Sequence, residues 1–297
     1  MNIIVMGAGA IGSLYGAYLS QNHNVVLIGR KDHVVSINHK GLHIDGITNL
    51  IVHPHAYETI NDYAGPVDLV IVTVKSYDTD TAIQQIAPII TNKTLVLSLQ
   101  NGLDNIVKIS QIIDQSQIVV GITTQGATFT APGRITHTGK GSTILGGLSK
   151  KDSSQLQTLA TIFNEGGIHT TISTTIQEEL WRKAIINSSI NPLTALFQCS
   201  NGYLHHNPIC TRIVDMICKE STTVAQKMYP TITQEEMMTQ THQVITNTAT
   251  NKSSMLQSIL QGKSTEIESI TGIIVQTAQK YDVDVPLNSL LLSFFRT

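Results

Sequence analysis

Gly7-Ala8-Gly9-Ala10-Ile11-Gly12 follows directly on the apolar run Asn2–Met6 (NIIVM) and opens the helix-length segment Ala10–Gln21. A GxGxxG pattern alone is a weak signal, but between a first strand and a first helix it reads as a dinucleotide-binding turn. The first glycine permits the tight turn, the second lets backbone approach a pyrophosphate, and the third lets helix and strand pack closely. The helix N-terminus adds N–H donors and the positive end of its dipole. Gly7, Ala8, Gly9, Ala10, Ile11 and Gly12 are therefore the expected pyrophosphate site.

The next apolar run, Asn24–Ile28 (NVVLI), ends at Gly29-Arg30-Lys31. An NAD enzyme usually carries Asp or Glu there to accept from the ribose 2′-OH. Two cations stand in its place, and a guanidinium matches a phosphate bidentately, so NADPH is the expected cofactor, with Arg30 on its 2′-phosphate. A solvated basic pair, with Asp32 serving NAD, is the alternative.

Asp68–Val74, Thr94–Leu99 and Gln117–Ile122 are further apolar runs, continuous rather than alternating, as parallel strands covered on both faces should be. Asp78–Ile90 and Leu103–Ile113 lie between them as crossover helices. This βαβ alternation predicts a doubly wound sheet of the Rossmann type. Lys75 and Asn101 lie just beyond strand ends, as Gly7 and Arg30 do, and open α/β sheets bind ligands along that edge. Singly each reads equally well as a loop residue; together they suggest a cofactor cleft.

Residues Gly126 to Gly147 break the pattern with Thr-rich runs between Gly and Pro turn signals, which predicts antiparallel strands added at a sheet edge. A helix near Ser153–Phe163 and a strand near Ile168–Ser173 close this half. Beyond Thr174 the periodicity is helical: Gln177–Ile190, Ile209–Lys227, Gln234–Asn247 and Ser254–Lys280, with Pro192, Pro208, Pro230 and Pro286 at their ends or in connections. The expected division is an NADP-binding α/β domain over 1–173 and an all-helical substrate and catalytic domain over 174–297.

Composition excludes several classes. A net charge of −2 leaves no footprint for nucleic acid or an anionic membrane. Cys199, Cys210 and Cys218 are an odd set without CxxC spacing, which fits a reducing compartment better than a disulfide framework. The histidines are scattered, and the close pairs His53/His55 and His205/His206 lack helical metal-ligand spacing, so no metal is expected. The N-terminus has no basic n-region and reads as a strand rather than a signal peptide. The apolar run Val67–Val74 is interrupted by Asp68 and is too short to span a bilayer. A cytoplasmic location is expected.

In the helical half, Lys183, Asn187 and Asn191 recur at i, i+4 and i+8 and share one stripe of a helix whose remaining surface is largely apolar. A cation and two amides on a buried helix need partners, which a polar ligand would provide; a stripe facing solvent is the equal alternative. Ser254 with Gln257 fits a capping box at the start of a long helix, either an anion site or an ordinary cap. Glu266, twelve residues on, falls about 120° round an ideal helix from Ser254, so periodicity does not place the two together.

The sequence resembles the ketopantoate reductase family (2-dehydropantoate 2-reductase) along nearly its whole length. The likeness runs through MGAGAIGSLYGAYL from Met6, VTVKSYDT around Lys75, LQNGLDN around Asn101 and RITHTGKGSTILG from Arg134. It continues through ELWRKAIINSSINPLTAL from Glu179, SSMLQSILQGKSTEIESITG from Ser253 and VDVPLN from Val283. The resemblance implies a C-terminal domain of the 6-phosphogluconate dehydrogenase C-terminal-like type. It also implies NADPH-dependent reduction of 2-dehydropantoate to (R)-pantoate, in pantothenate and coenzyme A biosynthesis.

The residue roles it implies are Lys183 as general acid and Glu266 as active-site glutamate. Asn187, Asn191 and Ser254 are substrate contacts, and Asn101 stands where nicotinamide meets substrate. Arg30 is the 2′-phosphate arginine, and Lys75 lies in the cofactor cleft, with Asn101 and Glu266 counted beside the cofactor as well. A small 2-keto acid is the expected partner, and a homodimer is compatible with it. The rival readings are an NADPH-dependent reductase of another small 2-keto acid and a non-catalytic NADP(H)-binding regulator.

Overall fold

Asn2–Met6 (β1) and Asn24–Ile28 (β2) pair in parallel, register running from Asn2 opposite Asn24 to Met6 opposite Ile28. Both are buried on both faces nearly throughout, which is why they read as unbroken apolar runs. The structure, a computed structural model, describes residues 1–148 and 153–296. Between β1 and β2 lies Ala10–Leu19 (α1), and after β2 comes Lys31–Lys40 (α2). Short strands follow at Leu42–Gly46 (β3), Leu50–Val52 (β4) and His55–Tyr57 (β5). The parallel core continues with Leu69–Val72 (β6), Thr79–Ile86 (α3), Leu95–Ser98 (β7), Asn105–Ser110 (α4) and Ile118–Thr123 (β8). Gly126–Ala131 (β9), Arg134–Gly139 (β10), Thr143–Gly147 (β11), Ser153–Glu165 (α5) and Thr170–Ile172 (β12) complete this part.

The main sheet has eight strands in the order β12-β11-β8-β7-β6-β1-β2-β5. Chain progression reverses between β1 and β6, so the switch point of this doubly wound sheet lies at their C-terminal ends, Gly7 and Thr73. Two sequence expectations change here. Only β11 of the Thr-rich stretch joins the main sheet, antiparallel to β8; β9 and β10 build a separate sheet ordered β4-β3-β10-β9. The helix α2 and strands β3 to β5 were not anticipated, because the strands are short and only half buried: in β3, Leu42 and Ile44 are covered while His43 and Asp45 are not.

Within this part His33, on α2, is buried and held from both ring nitrogens. The Gly133 N–H donates to Nδ1 at 2.8 Å, and Ser13 Oγ lies 3.0 Å from Nε2. An acceptor Nδ1 makes the ring neutral, and burial pushes its pKa down to about 4. The unfolded chain therefore binds a proton that the folded one refuses between about pH 6.5 and 4, and stability falls as pH falls through that window, by about 3 kcal/mol at its lower end. Melting curves between neutral pH and pH ~4.5 should show this slope in the native chain and a shallower one in His33→Gln. Equal slopes would remove His33 as its source.

The remaining chain is helical: Ile176–Phe197 (α6), Tyr203–His206 (α7), Pro208–Gln226 (α8), Gln234–Asn247 (α9), Ser254–Leu260 (α10), Ile273–Lys280 (α11) and Pro286–Phe295 (α12). A π-helical stretch, Glu268–Gly272, precedes α11. The chain divides into two compact units, 1–100 with 105–176, and 101–104 with 177–297. The division expected from sequence, at 173/174, falls three residues before the observed one and does not include the excursion of 101–104. Leu103 explains that excursion, since its N–H donates to the Ser269 carbonyl at 2.8 Å and its side chain packs against the apolar cluster that includes Trp181, Ile185 and Ile274. Among the described residues no helix is long and apolar enough to cross a membrane.

Two helix boundaries also differ from expectation. Pro192 lies inside α6 instead of ending it. Its ring withholds the N–H that would reach the Ser188 carbonyl, a cost of about 3 kcal/mol in an isolated helix that the buried surroundings of α6 override. The single helix expected over Ser254–Lys280 is three pieces, α10 ending at Leu260 and the π-helical turn leading into α11.

Candidate active site

In the first unit, the turn after β1 has the shape that the glycines require. Gly7 adopts φ +105°, and a Cβ there would meet the Val74 backbone nitrogen at 2.7 Å. A Cβ on Gly12 would sit 2.3 Å from the Gly7 carbonyl oxygen and 2.4 Å from Thr73 Oγ1. Thr73 Oγ1 donates to that same carbonyl at 2.7 Å, tying the turn to the end of β6. Gly9, the N-cap of α1, differs: a Cβ there would meet nothing within 4 Å. The first bond of the helix runs from Ser13 N–H to the Gly9 carbonyl, so the N–H groups of Ala10, Ile11 and Gly12 stand ahead of the ladder. Open space above a helix N-terminus with spare donors fits a pyrophosphate.

Arg30 is exposed and N-caps α2 through its backbone, directly after β2. Lys75 is half buried at the end of β6. The backbone beneath it is pinned by Gln100, whose Nε2 donates to the Val74 carbonyl at 3.0 Å and to Thr79 Oγ1 at 2.7 Å, and by Lys108 Nζ, which donates to the Ser76 carbonyl at 3.1 Å.

In the second unit, α6 presents the polar stripe. Asn191 is buried, Asn187 and Lys183 are half buried, and Ala184, Ile185 and Ile190 around them are covered. Asn187 and Asn191 line one cavity together with Ser254 and Glu266. The stripe therefore does not face bulk solvent along its length. Loss of hydration pulls the Lys183 ammonium down to about 8, and the Glu266 carboxylate opposes that shift. Pro192, Met255, Ile267 and Ile270 give the same cavity an apolar wall.

The cap of α10 is Ser253, not the expected Ser254. Ser253 Oγ accepts from the Leu256 N–H at 3.1 Å and from Thr194 Oγ1 at 2.7 Å, which ties α10 to α6. Ser254, one residue on, is exposed at the cavity. It shares that cavity with Glu266 because the chain leaves the helix at Leu260; an unbroken helix would have turned the two apart. Asn101 belongs to this unit through the 101–104 segment.

Among the described residues, the buried side-chain atoms without a hydrogen-bond partner include Asn201 Oδ1 and Thr271 Oγ1, neither singled out by the sequence. Thr271 also lines the cavity. No spacing signal marks either, since the π-helical turn that orients Thr271 has no sequence period of its own.

The ketopantoate reductase PanE/ApbA family model matches residues 3–150, and the model of its C-terminal domain matches residues 175–297. The chain belongs to the ketopantoate reductase family. The 2-dehydropantoate 2-reductase of Pyrococcus horikoshii is 38% identical over 294 residues, covering 98% of this chain and 95% of that protein. That of Halobacterium salinarum is 33% identical, covering 100% and 98%. Among solved structures, D-mandelate dehydrogenase with NADH and anilino(oxo)acetate superposes with a TM-score of 0.93 at 26% identity, covering 99% of this chain and 97% of that one. A family ketopantoate reductase from Ralstonia eutropha superposes at 0.90 with 28% identity, covering 100% and 97%. The ketopantoate reductase fold therefore extends over both units.

Proposed function

We propose that the protein reduces 2-dehydropantoate to (R)-pantoate with NADPH, as its curated relatives' name describes. The observation that carries this reading is the convergence of Asn187, Asn191, Ser254 and Glu266 on one cavity, one helical turn beyond a lysine whose charge Glu266 supports. In this reading the first unit holds the cofactor and the helical unit, with Asn101, holds the keto acid. NADPH supplies the hydride that reduces the C2 carbonyl.

As charge builds on the ketone oxygen, Lys183 Nζ stabilises it and donates the proton, leaving a neutral amine. The Glu266 carboxylate favours the ammonium form between turnovers. Asn187 and Asn191 donate amide hydrogens that orient the substrate, and the Ser254 hydroxyl binds its carboxylate. Asn101 acts at the junction of nicotinamide and substrate. In the first unit Arg30 pairs with the 2′-phosphate, Lys75 neutralises cofactor phosphate charge, and the Gly7–Gly12 turn takes the pyrophosphate.

The test is an optical NADPH-oxidation assay with 2-dehydropantoate, run on the native chain and Arg30→Ala. Native protein should turn over with NADPH in preference to NADH. Arg30→Ala should lose about tenfold to a hundredfold in kcat/KM for NADPH and little for NADH, the worth of a charge-assisted bidentate contact. Equal losses with both cofactors would take Arg30 off the 2′-phosphate. Binding of NADPH without turnover of any keto acid would favour a regulator. The likeness to D-mandelate dehydrogenase supports one second reading, a reductase of another 2-keto acid, and a faster rate with an aryl keto acid such as benzoylformate would select it.

A further inference from the structure

We infer that Thr271 is a specificity-determining residue, whose hydroxyl pairs with a neutral hydroxyl on the tail of the 2-keto acid; this rests on the reductase reading above. Thr271 is fully covered, the least exposed of the side chains that line the cavity, and its Oγ1 has no hydrogen-bond partner. A buried hydroxyl without a partner is costly, and threonines in helices ordinarily escape that cost by bonding a carbonyl one turn back. Thr161, Thr222 and Thr223 do so in this chain, to Gln157, Cys218 and Lys219. Thr271 does not, because it stands in the π-helical stretch Glu268–Gly272, where the ladder is displaced. The hydroxyl is thereby left without a protein partner on a residue of the cavity lining.

The surroundings decide what it can take. Ile267 and Ile270 of the same turn, with Met255 from α10, are apolar neighbours in the cavity lining. A carboxylate placed among them would lose hydration without a counter-charge, whereas a neutral hydroxyl needs a single partner. The polar members of the lining are Asn187, one turn from Lys183, with Asn191, Glu266, Ser258 and exposed Ser254. The keto acid head therefore belongs with these polar groups, and the apolar lining around Thr271 suits a branched carbon skeleton that ends in a hydroxyl. A tail without it leaves the buried Thr271 hydroxyl unpaired, which is how binding sites reject a deoxy analogue strongly.

The experiment compares 2-dehydropantoate with trimethylpyruvate, the same skeleton with a methyl in place of the hydroxymethyl, in native protein, Thr271→Val and Thr271→Ser. Native protein should prefer the hydroxylated acid. Thr271→Val should lower kcat/KM for it by about tenfold to a hundredfold while leaving trimethylpyruvate within about twofold, and Thr271→Ser should keep the native preference. The melting temperature of unliganded Thr271→Val should hold or rise, because valine removes a hydroxyl that bonds nothing. Thr271→Ala gives the same comparison should valine not fit. A lowered melting temperature with equal losses on both acids, or no change on either, overturns the assignment. Native protein that reduces both acids equally well refutes the role of Thr271 alone; native protein that reduces neither refutes the 2-dehydropantoate reading and this inference with it.

Discussion

Lys183→Ala is expected to lower kcat by about 10²–10⁴-fold, the usual worth of a positioned general acid, with NADPH affinity near that of the native chain. The two readouts separate because the lysine lies on α6, in the helical unit, while the pyrophosphate turn and Arg30 lie in the other. The pH profile sharpens the expectation. The acting species is the ammonium, and burial brings its pKa to about 8. The group is therefore charged below that pH and increasingly neutral above it, so log(kcat/KM) should be level at lower pH and fall with unit slope above about pH 8. Glu266→Gln removes the charge that opposes this shift, and the break should move to lower pH. Stopped-flow or steady-state NADPH oxidation measures both. Activity within about tenfold of native in Lys183→Ala would take the lysine out of the proton transfer.

The second large effect comes from two neighbouring glycines that should fail differently. Gly12→Ala drives a methyl against the Gly7 carbonyl and Thr73 Oγ1, neither of which can retreat without opening the turn that Thr73 clamps. Overpacking of this kind costs about 3 kcal/mol, and both thermal stability and cofactor binding should suffer. Gly9→Ala meets no protein atom, so the fold should tolerate it. The same methyl would occupy the space through which a pyrophosphate reaches the N–H groups at the head of α1. NADPH affinity should then drop by roughly a hundredfold, the loss of about 3 kcal/mol of charge-assisted bonding, with the melting temperature nearly unmoved. Calorimetry and cofactor titration distinguish the pair. A Gly9→Ala protein that binds NADPH normally would mean that the dinucleotide does not cross this turn.

What could be read from residues alone follows physical lines. Strands β1, β2, β6 and β7 are legible because burial on both faces makes them unbroken apolar runs. Strand β4 has three residues of which none is fully buried, so it carries no period to detect. The stripe of Lys183, Asn187 and Asn191 is visible in spacing because α6 is continuous, and it is continuous despite Pro192 because tertiary packing outweighs a local propensity. Ser254 and Glu266 meet only because the helix between them breaks, an event that ideal geometry argues against and that the family resemblance alone suggested. Thr271 carried no mark, since its interest lies in a bond it fails to make.

The small detour of Asn101–Asp104 has a wider consequence. Because these residues side with the helices while both their flanks side with the sheet, the polypeptide passes between the units at 100/101, 104/105 and 176/177. No single cut therefore frees either half intact: a fragment beginning at Gln177 lacks Leu103, and a fragment ending at Ile176 carries that leucine without the helices it packs against. A chimera joining one relative's sheet to another's helices keeps Leu103 with its matched partners only when the four-residue segment travels with the helices.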